Sequence, residues 1–394
     1  MSPKPLSHSP ELQRLREEGY EVLIRTEGAQ VMLLMRNVPY LTTGHVVRHD
    51  GQLVSELTMS GDLVAAPNKH DLHFVGSVPF NARGTRYDNI IAGEGSYQLA
   101  GGMVASFHLS AKPARPYPTY YEKMTTYANL LTGAARTVEP RATAQRHLPV
   151  EPDDESSVFK YLDTFSGGAV VSGIARKLEL AKLAVIGLGG TGSYLLDLVA
   201  KTPVKQIHLF DGDLFYDHNA FRTPGAASID ELCAQPTKVA YLEAHYSKMR
   251  YGIVAHPYNI SVSNLTELQG MDFVFICIDG QAVKRQIINY LEDQGVSFID
   301  VGMDVYVSED ALGGVVRVTT STPDKREHVY QRLALSEADE DNYRNVQIAD
   351  LNALNAALAV IRWKKLFAFY HDFENEHHSL YTIDANQILD AEKS

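Results

Sequence analysis

Apolar and polar positions alternate differently in the two halves of the chain. Short apolar runs, separated by turn sequences such as His-Asp-Gly at 49–51 and Ser-Gly-Asp at 60–62, fill most of residues 20–109. Runs of this length between such turns predict antiparallel strands. A helical pattern precedes them at 10–19 and a tyrosine-rich one follows at 117–132. We therefore predict an N-terminal α+β or β-rich domain over residues 1–135.

From residue 183 onward, strand-length apolar runs alternate with helical patterns. The apolar runs lie at 183–186, 207–210, 273–278 and 296–301, and the helical patterns at 193–200, 237–248 and 281–293. This alternation predicts an α/β fold with a doubly wound, mostly parallel, Rossmann-like sheet over residues 158–394.

The C-terminal part of this region has a different pattern. Residues 313–320 begin a strand-rich section that we expect to run antiparallel, and a last strand is predicted at 380–383. Between them a long helix is predicted over 346–370. Its apolar face is expected to carry Leu351, Leu354, Leu358 and Ile361.

Residues 136–157 contain three prolines and end in an acidic cluster. This composition is typical of a linker, so we place the domain boundary there. Helical patterning resumes at 157–180, before the first parallel strand.

The apolar run at 183–186 leads into a glycine-rich turn. Gly187, Gly189 and Gly192 have the spacing G-x-G-x-x-G, a helical pattern follows, and the next apolar run ends at Asp211. In such a turn the glycines allow a sharp reversal, a close approach of backbone to phosphate, and tight packing of helix on strand. The context predicts a nucleotide-binding β-α-β unit, with Asp211 as an acceptor for the ribose hydroxyls.

Further polar residues follow the predicted parallel strands, where ligands of such sheets are bound. Arg222 and Lys238 suit a polyphosphate, Asn219 can hydrogen-bond phosphate without adding charge, and Asp279 suits Mg²⁺. Asp213 lies among them. A nicotinamide-dependent oxidoreductase is the alternative, because it also requires the glycines and Asp211. That alternative leaves the other residues without a role.

These residues together resemble the adenylating family of ThiF, MoeB and the ubiquitin-activating enzymes. The family's motifs are matched by Gly187-Leu-Gly-Gly-Thr-Gly192 (with Gly189 and Gly190), by Asp211 and Asp213, by Asn219 and Arg222, by Lys238, and by Asp279 in the sequence Cys-Ile-Asp-Gly. The resemblance covers about residues 155–394. It implies that Arg222, Lys238 and Asp279 are catalytic, that Asp279 faces the magnesium ion, and that the remaining matched residues bind ATP.

The resemblance also implies a reaction and partners. The C-terminal carboxylate of a ubiquitin-like or sulfur-carrier-like protein would attack the α-phosphorus of ATP, which gives an acyl-adenylate and pyrophosphate. Family members are typically homodimers, and Arg176 is the candidate for an arginine that reaches the partner's site. The chain is similar to bacterial ThiF-family proteins of ubiquitin-like modification operons, so the N-terminal domain is expected to recognise a carrier or a conjugating enzyme. An inactive ThiF-like scaffold is a further alternative.

Composition and charge argue against several other classes of protein. The formal net charge of −12 argues against a nucleic-acid partner, and no apolar run approaches the length of a membrane span. The chain start lacks the apolar core of a signal peptide, so a cytoplasmic protein is expected. His70 and His73 fall at no recognised ligand spacing, and we interpret them as strand-end residues rather than as a metal site.

The two cysteines, Cys233 and Cys277, allow neither a disulfide framework nor a Cys₄ zinc site. Relatives that pass the activated protein onward use a cysteine in the crossover segment, and residues 317–347 contain none. We therefore expect either direct release of the adenylate to a partner, which we favour, or an oxyester. The candidate hydroxyls are those of Thr319, Thr320, Ser321, Thr322 and Ser336.

Overall fold

The structure, a computed structural model, describes residues 9–28, 30–61, 63–100, 102–149, 152, 157–161, 173–333 and 348–393. These residues form two compact units, which are described separately. The first contains the described residues up to 149, and the second contains 152, 157–161 and those from 173 onward. No helix in the described part of the chain is long and apolar enough to cross a bilayer.

The first unit is built around an antiparallel six-stranded sheet with the order β1-β2-β3-β6-β8-β7. Its strands are β1 (Glu21–Glu27), β2 (Gln30–Thr42), β3 (Val46–Glu56), β6 (Leu72–Val75), β7 (Ile91–Leu99) and β8 (Met103–Leu109), with a separate small hairpin of β4 (Met59–Ser60) and β5 (Leu63–Val64). The helices are α1 (Pro10–Glu17) and α2 (Tyr120–Ala135). The predicted β-rich region is therefore present.

Helix α2 covers one face of this sheet. The Thr119 side chain caps it by accepting a hydrogen bond from Glu122 N. Tyr120, Met124, Tyr127 and Leu131 recur at helical spacing and are buried in the main core of the unit. On the opposite face a smaller cluster contains Met32, Leu34 and Val54. Strand β2 therefore has apolar side chains on both of its faces.

Part of the predicted linker packs on the first unit. Ala142 and Ala144 are buried, Gln145 forms a β-bridge with Tyr20, and Arg136 Nε donates to Ala142 O at 2.8 Å. Proline content made this segment look like an extended connection. Two buried alanines, a β-bridge and a side-chain hydrogen bond instead connect it to the first unit.

The second unit contains an eight-stranded mixed sheet. Its strands are β9 (Lys182–Ile186), β10 (Gln206–Phe210), β11 (Ile253–His256), β12 (Phe273–Ile276), β13 (Ser297–Ser308), β14 (Ala311–Ser321), β15 (His378–Thr382) and β16 (Gln387–Ala391). Its helices are α3 (Gly190–Val199), α4 (Asp217–Ala220), α5 (Ile229–Cys233), α6 (Lys238–Tyr246), α7 (Gln281–Asp293), α8 (His328–Leu333) and α9 (Ala349–Leu366).

The order of this sheet is β11-β10-β9-β12-β13-β14-β15-β16. The first five strands are parallel, and those from β13 to β16 pair antiparallel. Alternate residues of β9 enter different cores: Leu183 and Val185 pack in one cluster, and Ala184 and Ile186 in another. Helices on both faces explain why the parallel strands are continuous apolar runs. The predicted α/β, doubly wound, mostly parallel fold is confirmed.

Some predicted details of the C-terminal region differ from the structure. Of the predicted leucine face of α9, Leu351 is buried and Leu354 and Leu358 pack partly buried against apolar clusters, but Ile361 is 44% exposed. The buried side of the helix also carries Asn352, Asn355, Ala356 and Trp363. Strand β16 follows β15 and was not predicted. Residues 162–172 of the predicted helical segment at 157–180, and the whole acidic segment at 336–343, lie outside the described residues.

Candidate nucleotide-binding site

The glycine-rich turn after β9 requires glycine at some positions for steric reasons. Gly187 has φ +89°, and a Cβ there would lie 2.5 Å from the carbonyl oxygen of Cys277. A Cβ on Gly192 would lie 2.0 Å from the carbonyl oxygen of Gly187. By contrast, a Cβ on Gly189 would have no heavy atom of the described residues within 4 Å. The fold therefore requires glycine at positions 187 and 192, whereas Gly189 has open space beside it.

That open space lies at the N-terminus of α3, where Gly189 is the N-cap residue. The first backbone N–H groups of a helix have no partner within the helix, and the helix dipole makes this end partly positive. The side chain of Thr191 is turned away from solvent toward Asn352, with Oγ1 and Oδ1 2.8 Å apart. The arrangement leaves backbone donors available for an anion, as in other phosphate-binding turns.

Asp211, at the end of β10, connects this turn to the loop that follows. It is 5% exposed, and its Oδ2 accepts a hydrogen bond from Leu188 N at 2.7 Å. Its Oδ1 accepts one from Asp213 N at 2.9 Å. The carboxylate therefore fixes the turn, and each oxygen retains a lone pair that a ribose hydroxyl could use. The ribose contact remains a prediction.

Lys238 begins α6 and lies close to both aspartates. Its Nζ is 2.6 Å from Asp213 Oδ2 and 3.5 Å from Asp211 Oδ1. The Lys238 side chain is 9% exposed, whereas that of Asp213 is 63% exposed. Backbone contacts keep the two loops together, because Lys238 N donates to Asp213 O at 2.9 Å. The ammonium is thus held near the end of β10 by a carboxylate that solvent or a ligand can reach.

Asn219 and Arg222 lie on and directly after α4. Asn219 Oδ1 accepts a hydrogen bond from Tyr216 N at 2.9 Å, which orients the amide. Its Nδ2 and the Nε of Arg222 are both buried without a hydrogen-bond partner among the described residues. Buried donors of this kind are rare in native proteins and require an explanation. Burial also lowers the pKa of Arg222, and the nearby Asp279 opposes that shift.

Asp279 follows β12 and precedes α7 at the same edge of the sheet. Its side chain is exposed, and it interacts electrostatically with Arg222. The described residues contain no group of three or more His, Cys, Asp or Glu side chains that could hold a metal ion. One free carboxylate beside a phosphate site still fits Mg²⁺, which proteins often bind through one or two carboxylates together with substrate phosphates. Arg176 lies in an exposed turn before β9.

Two asparagines contribute to the site and were not predicted. Asn352 of α9 accepts from Thr191, and a Cβ on Gly190 would lie 2.2 Å from its Nδ2. Asn259 Oδ1 accepts a hydrogen bond from Gly212 N at 2.9 Å. A signal for Asn352 was present in the sequence Leu-Asn-Ala-Leu-Asn-Ala-Ala-Leu, where two amides interrupt an otherwise apolar helix. Such buried amides usually have a specific hydrogen-bonding role.

The hydroxyls proposed for an oxyester are mostly inaccessible. Thr319, Thr320 and Ser321 are at most 1% exposed, because β14 lies between β13 and β15. This burial argues against the oxyester alternative at those three positions. Thr322 is partly exposed and its Oγ1 lies 3.5 Å from His377 Nε2. Ser336 lies outside the described residues.

Each half of the chain matches a family model. A family model described as the ThiF family matches residues 168–389, and one described as a domain of unknown function (DUF6791) matches residues 10–164. The ubiquitin-like modifier-activating enzyme 5 of Drosophila melanogaster is 23% identical over 158 residues, which cover 36% of this chain and 37% of that enzyme. The ortholog of Drosophila sechellia is 24% identical over 151 residues, covering 34% and 35%. The chain thus matches only about a third of the length of these curated relatives.

Among solved structures, E. coli MccB covers 58% of this chain and 68% of its own, with a TM-score of 0.46 and 18% identity. PaaA covers 56% of this chain and 76% of its own, with a TM-score of 0.44 and 16% identity. The ThiF match itself extends over more than half of the chain. The chain belongs to the ThiF family.

Proposed function

We propose that the second unit uses ATP and Mg²⁺ to adenylate the C-terminal carboxylate of a ubiquitin-like or sulfur-carrier-like protein. Membership of the ThiF family supports ATP-dependent adenylation, and the name of the Drosophila relative supports a ubiquitin-like substrate. The products are an acyl-adenylate, which is passed to an acceptor, and pyrophosphate.

The observation that carries the proposal is the pair of buried, unpartnered donors, Asn219 Nδ2 and Arg222 Nε. Leaving a buried donor unsatisfied costs about 1–3 kcal/mol, and more for a charged group. Phosphate oxygens at this edge of the sheet would satisfy both donors. The open space beside Gly189 would admit the phosphates to the N-terminus of α3.

The charges at the site support the proposed role of Mg²⁺. Asp211, Asp213 and Asp279 oppose only two cations, Lys238 and Arg222. A nucleoside triphosphate adds several negative charges, so these side chains alone cannot neutralise it. Mg²⁺ bound by Asp279 and the phosphates would supply the missing positive charge and orient the phosphate chain.

The attacking carboxylate needs no general base, because it is already ionised at neutral pH. Catalysis then consists of aligning the nucleophile with the α-phosphorus and stabilising the charge that develops on the phosphates. Lys238 can exchange its contact with the exposed Asp213 for a phosphate oxygen. Arg222 offers a planar fork of donors for the same phosphates.

The remaining parts of the proposal concern partners. We assign recognition of the carrier, or of a conjugating enzyme, to the N-terminal domain, which holds none of the nucleotide-site residues. We also expect a cytoplasmic homodimer in which Arg176 of one copy approaches the site of the other.

The test begins with nucleotide binding by the full-length chain. Isothermal titration calorimetry with ATP should give saturable binding in Mg²⁺ that weakens strongly in EDTA. Asp279→Asn should reduce the effect of Mg²⁺ more than it reduces binding of metal-free ATP. Asp293→Asn is the matched control, because Asp293 is exposed at the other end of α7. Equal metal dependence in both variants would remove Asp279 from the site.

Adenylation itself is tested by ATP–pyrophosphate exchange with ubiquitin-like proteins encoded next to this chain's gene. Exchange that depends on a free carrier C-terminus supports the proposal. Binding of NAD without ATP binding would instead favour the oxidoreductase alternative. ATP binding without exchange, for every neighbouring carrier, would favour the scaffold alternative.

A further inference from the structure

The first unit contains a cavity of about 160 Å³ near the start of β6. Strands β3 and β6 pair from Gln52 to Val54, opposite Val75 to His73. Beyond this paired section, Ser55 and Glu56 continue β3 while the chain leading into β6 diverges. The cavity is lined by the end of β3, by the chain leading into β6 and its first residues, by the start of β2, by the end of β7 and by one residue of α2.

The lining of the cavity changes from its mouth to its floor. Exposed polar side chains, such as those of Lys69 and Gln98, form the rim, whereas Val54, Leu72 and Met32 are buried at the floor. A cavity of about 150 Å³ is known to hold a molecule the size of benzene. This cavity can therefore admit a small polar group together with three or four carbon atoms.

One wall of the cavity is formed by Lys123 of α2, which is 2% exposed. Its ammonium donates one hydrogen bond to Ser55 Oγ at 2.8 Å. Within the described part of the chain, no carboxylate oxygen lies within ion-pair distance of Lys123 Nζ. Lysines are almost never fully buried unless they are paired. Burial lowers the pKa of this ammonium to about 8, so it is still mostly protonated at pH 7.

The other charged groups at the cavity have partners of their own. Glu56 Oε2 lies 3.3 Å from Lys69 Nζ, and Asp71 Oδ2 lies 2.5 Å from His108 Nε2. Burial and the neighbouring His108 lower the pKa of His73, which favours its neutral form. Among the described residues that line this cavity, Lys123 is therefore the buried charge that has no carboxylate within ion-pair distance.

We propose that this cavity is a binding site for a monocarboxylate, whose oxygens contact Lys123 Nζ while its short aliphatic part contacts Val54 and Leu72. A dianion such as phosphate fits less well, because Asp71 and Glu56 would repel its second charge. The same chemistry can come from a free small acid or from the C-terminal carboxylate of a peptide. The inference does not depend on the nucleotide site or on adenylation.

The experiment uses the full-length chain at pH 7 without ATP. Butyrate and butyramide are titrated in parallel by calorimetry, as are N-acetyl-Gly-Val and its C-terminal amide. We expect at least one acid to bind about tenfold or more tightly than its amide, because only the acid supplies a countercharge. Tighter binding of the peptide than of butyrate assigns the site to chain ends, and the reverse order assigns it to small acids.

Two variants locate the site. Lys123→Met keeps most of the length of the side chain and removes the charge, and it should abolish the preference for acid over amide. Lys112→Met changes an exposed lysine of the same unit that does not line the cavity, and it should alter affinity by less than about threefold. Circular dichroism confirms that both variants are folded.

Proton uptake on ligand binding distinguishes a lysine that binds the carboxylate from a purely structural lysine. A bound carboxylate stabilises the ammonium, so binding at pH 8 should take up protons, seen as a dependence of the heat on the buffer. In the free protein, Asp71 and Glu56 favour protonation of Lys123, and Lys69 opposes it. The proposal is overturned if no acid binds better than its amide, or if Lys123→Met binds the acid as wild type does.

Discussion

Replacement by alanine should have different effects at two glycines of the same turn. An alanine side chain at Gly189 would meet no heavy atom of the described residues within 4 Å. At Gly192 it would lie 2.0 Å from a backbone oxygen that cannot move without displacing the turn. Gly189→Ala should therefore leave a folded protein with impaired nucleotide binding, whereas Gly192→Ala should impair the fold.

The magnitudes follow from the local geometry. Gly189 is an N-cap residue with φ −71°, so alanine causes no backbone strain there, and its poorer capping costs up to about 1 kcal/mol. In a domain of this size that corresponds to a Tm decrease of about 2–4 °C. The methyl group would occupy the approach of phosphate to the backbone N–H groups. Losing one hydrogen bond to a charged group costs about 1.5–3 kcal/mol, or roughly a 10- to 150-fold increase in Kd.

The assay combines thermal unfolding with calorimetric titration of MgATP. Gly133→Ala is the control, because Gly133 is exposed on α2 in the other unit and its Cβ would also be unobstructed. Alanine favours a helix over glycine, so this variant should be slightly more stable and should bind MgATP normally. If Gly189→Ala bound MgATP with wild-type affinity, the turn would not be the phosphate site.

Three further predictions follow from the same structure. Lys238→Ala should lose about 2–4 kcal/mol of transition-state stabilisation in pyrophosphate exchange. The control Lys201→Ala removes an exposed i,i+4 ion pair and should change that stabilisation by less than about 0.5 kcal/mol. Equal exchange rates in the two variants would remove Lys238 from the site. Because the pKa of Lys123 is lowered when folded, the unfolded state binds more protons between pH 8 and about 10.5, and stability should rise with pH in that window. The free energy of unfolding should rise by up to about 3 kcal/mol in the wild-type chain and should not rise in Lys123→Met, as measured by urea unfolding at pH 7 and pH 10. The same pH dependence in both proteins would contradict this prediction. A chain limited to residues 157–394 should retain MgATP affinity, and loss of affinity in a folded fragment would show that the N-terminal domain completes the site.

The parallel half of the fold could be predicted because burial on both faces leaves a simple pattern. All four residues of β12, Phe273–Ile276, are buried, and such a strand reads as a continuous apolar run. The carboxyl ends of parallel strands lie at one edge of a sheet, so Asp211 after β10 and Asp279 after β12 were both expected at that edge. The ThiF-type motifs added residue roles that periodicity does not provide.

The contacts between those residues could not be predicted, because they depend on packing between distant segments. Thr191 and Asn352 are 161 positions apart and belong to different helices. The use of both Asp211 oxygens by backbone N–H groups is likewise a consequence of loop geometry. The burial of Lys123 could not be predicted either, because a lysine within a helical sequence pattern is normally expected to be exposed.

The fate of the acyl group is constrained by the accessibility of each nucleophile. Burial and the nearby Asp300 raise the pKa of the Cys277 thiol, so it is not a thiolate at neutral pH. Cys233 is exposed at the end of α5. Thr319, Thr320 and Ser321 are buried in β14. Of the cysteines and the candidate hydroxyls that the structure describes, Cys233 is exposed and Thr322 is partly exposed, and a hydroxyl without a base is a poor nucleophile.

We therefore expect the acyl-adenylate to be released directly to a partner, with no thioester on this chain. Replacement of both cysteines by alanine should leave pyrophosphate exchange and transfer to the partner intact, apart from about 1 kcal/mol of stability lost at Cys277. Mass spectrometry under non-reducing conditions should show no carrier attached to the chain, and Thr322→Val should behave as wild type. An adduct that is cleaved by thiols and absent from Cys233→Ala would show that this exposed cysteine, outside the crossover segment, carries the acyl group.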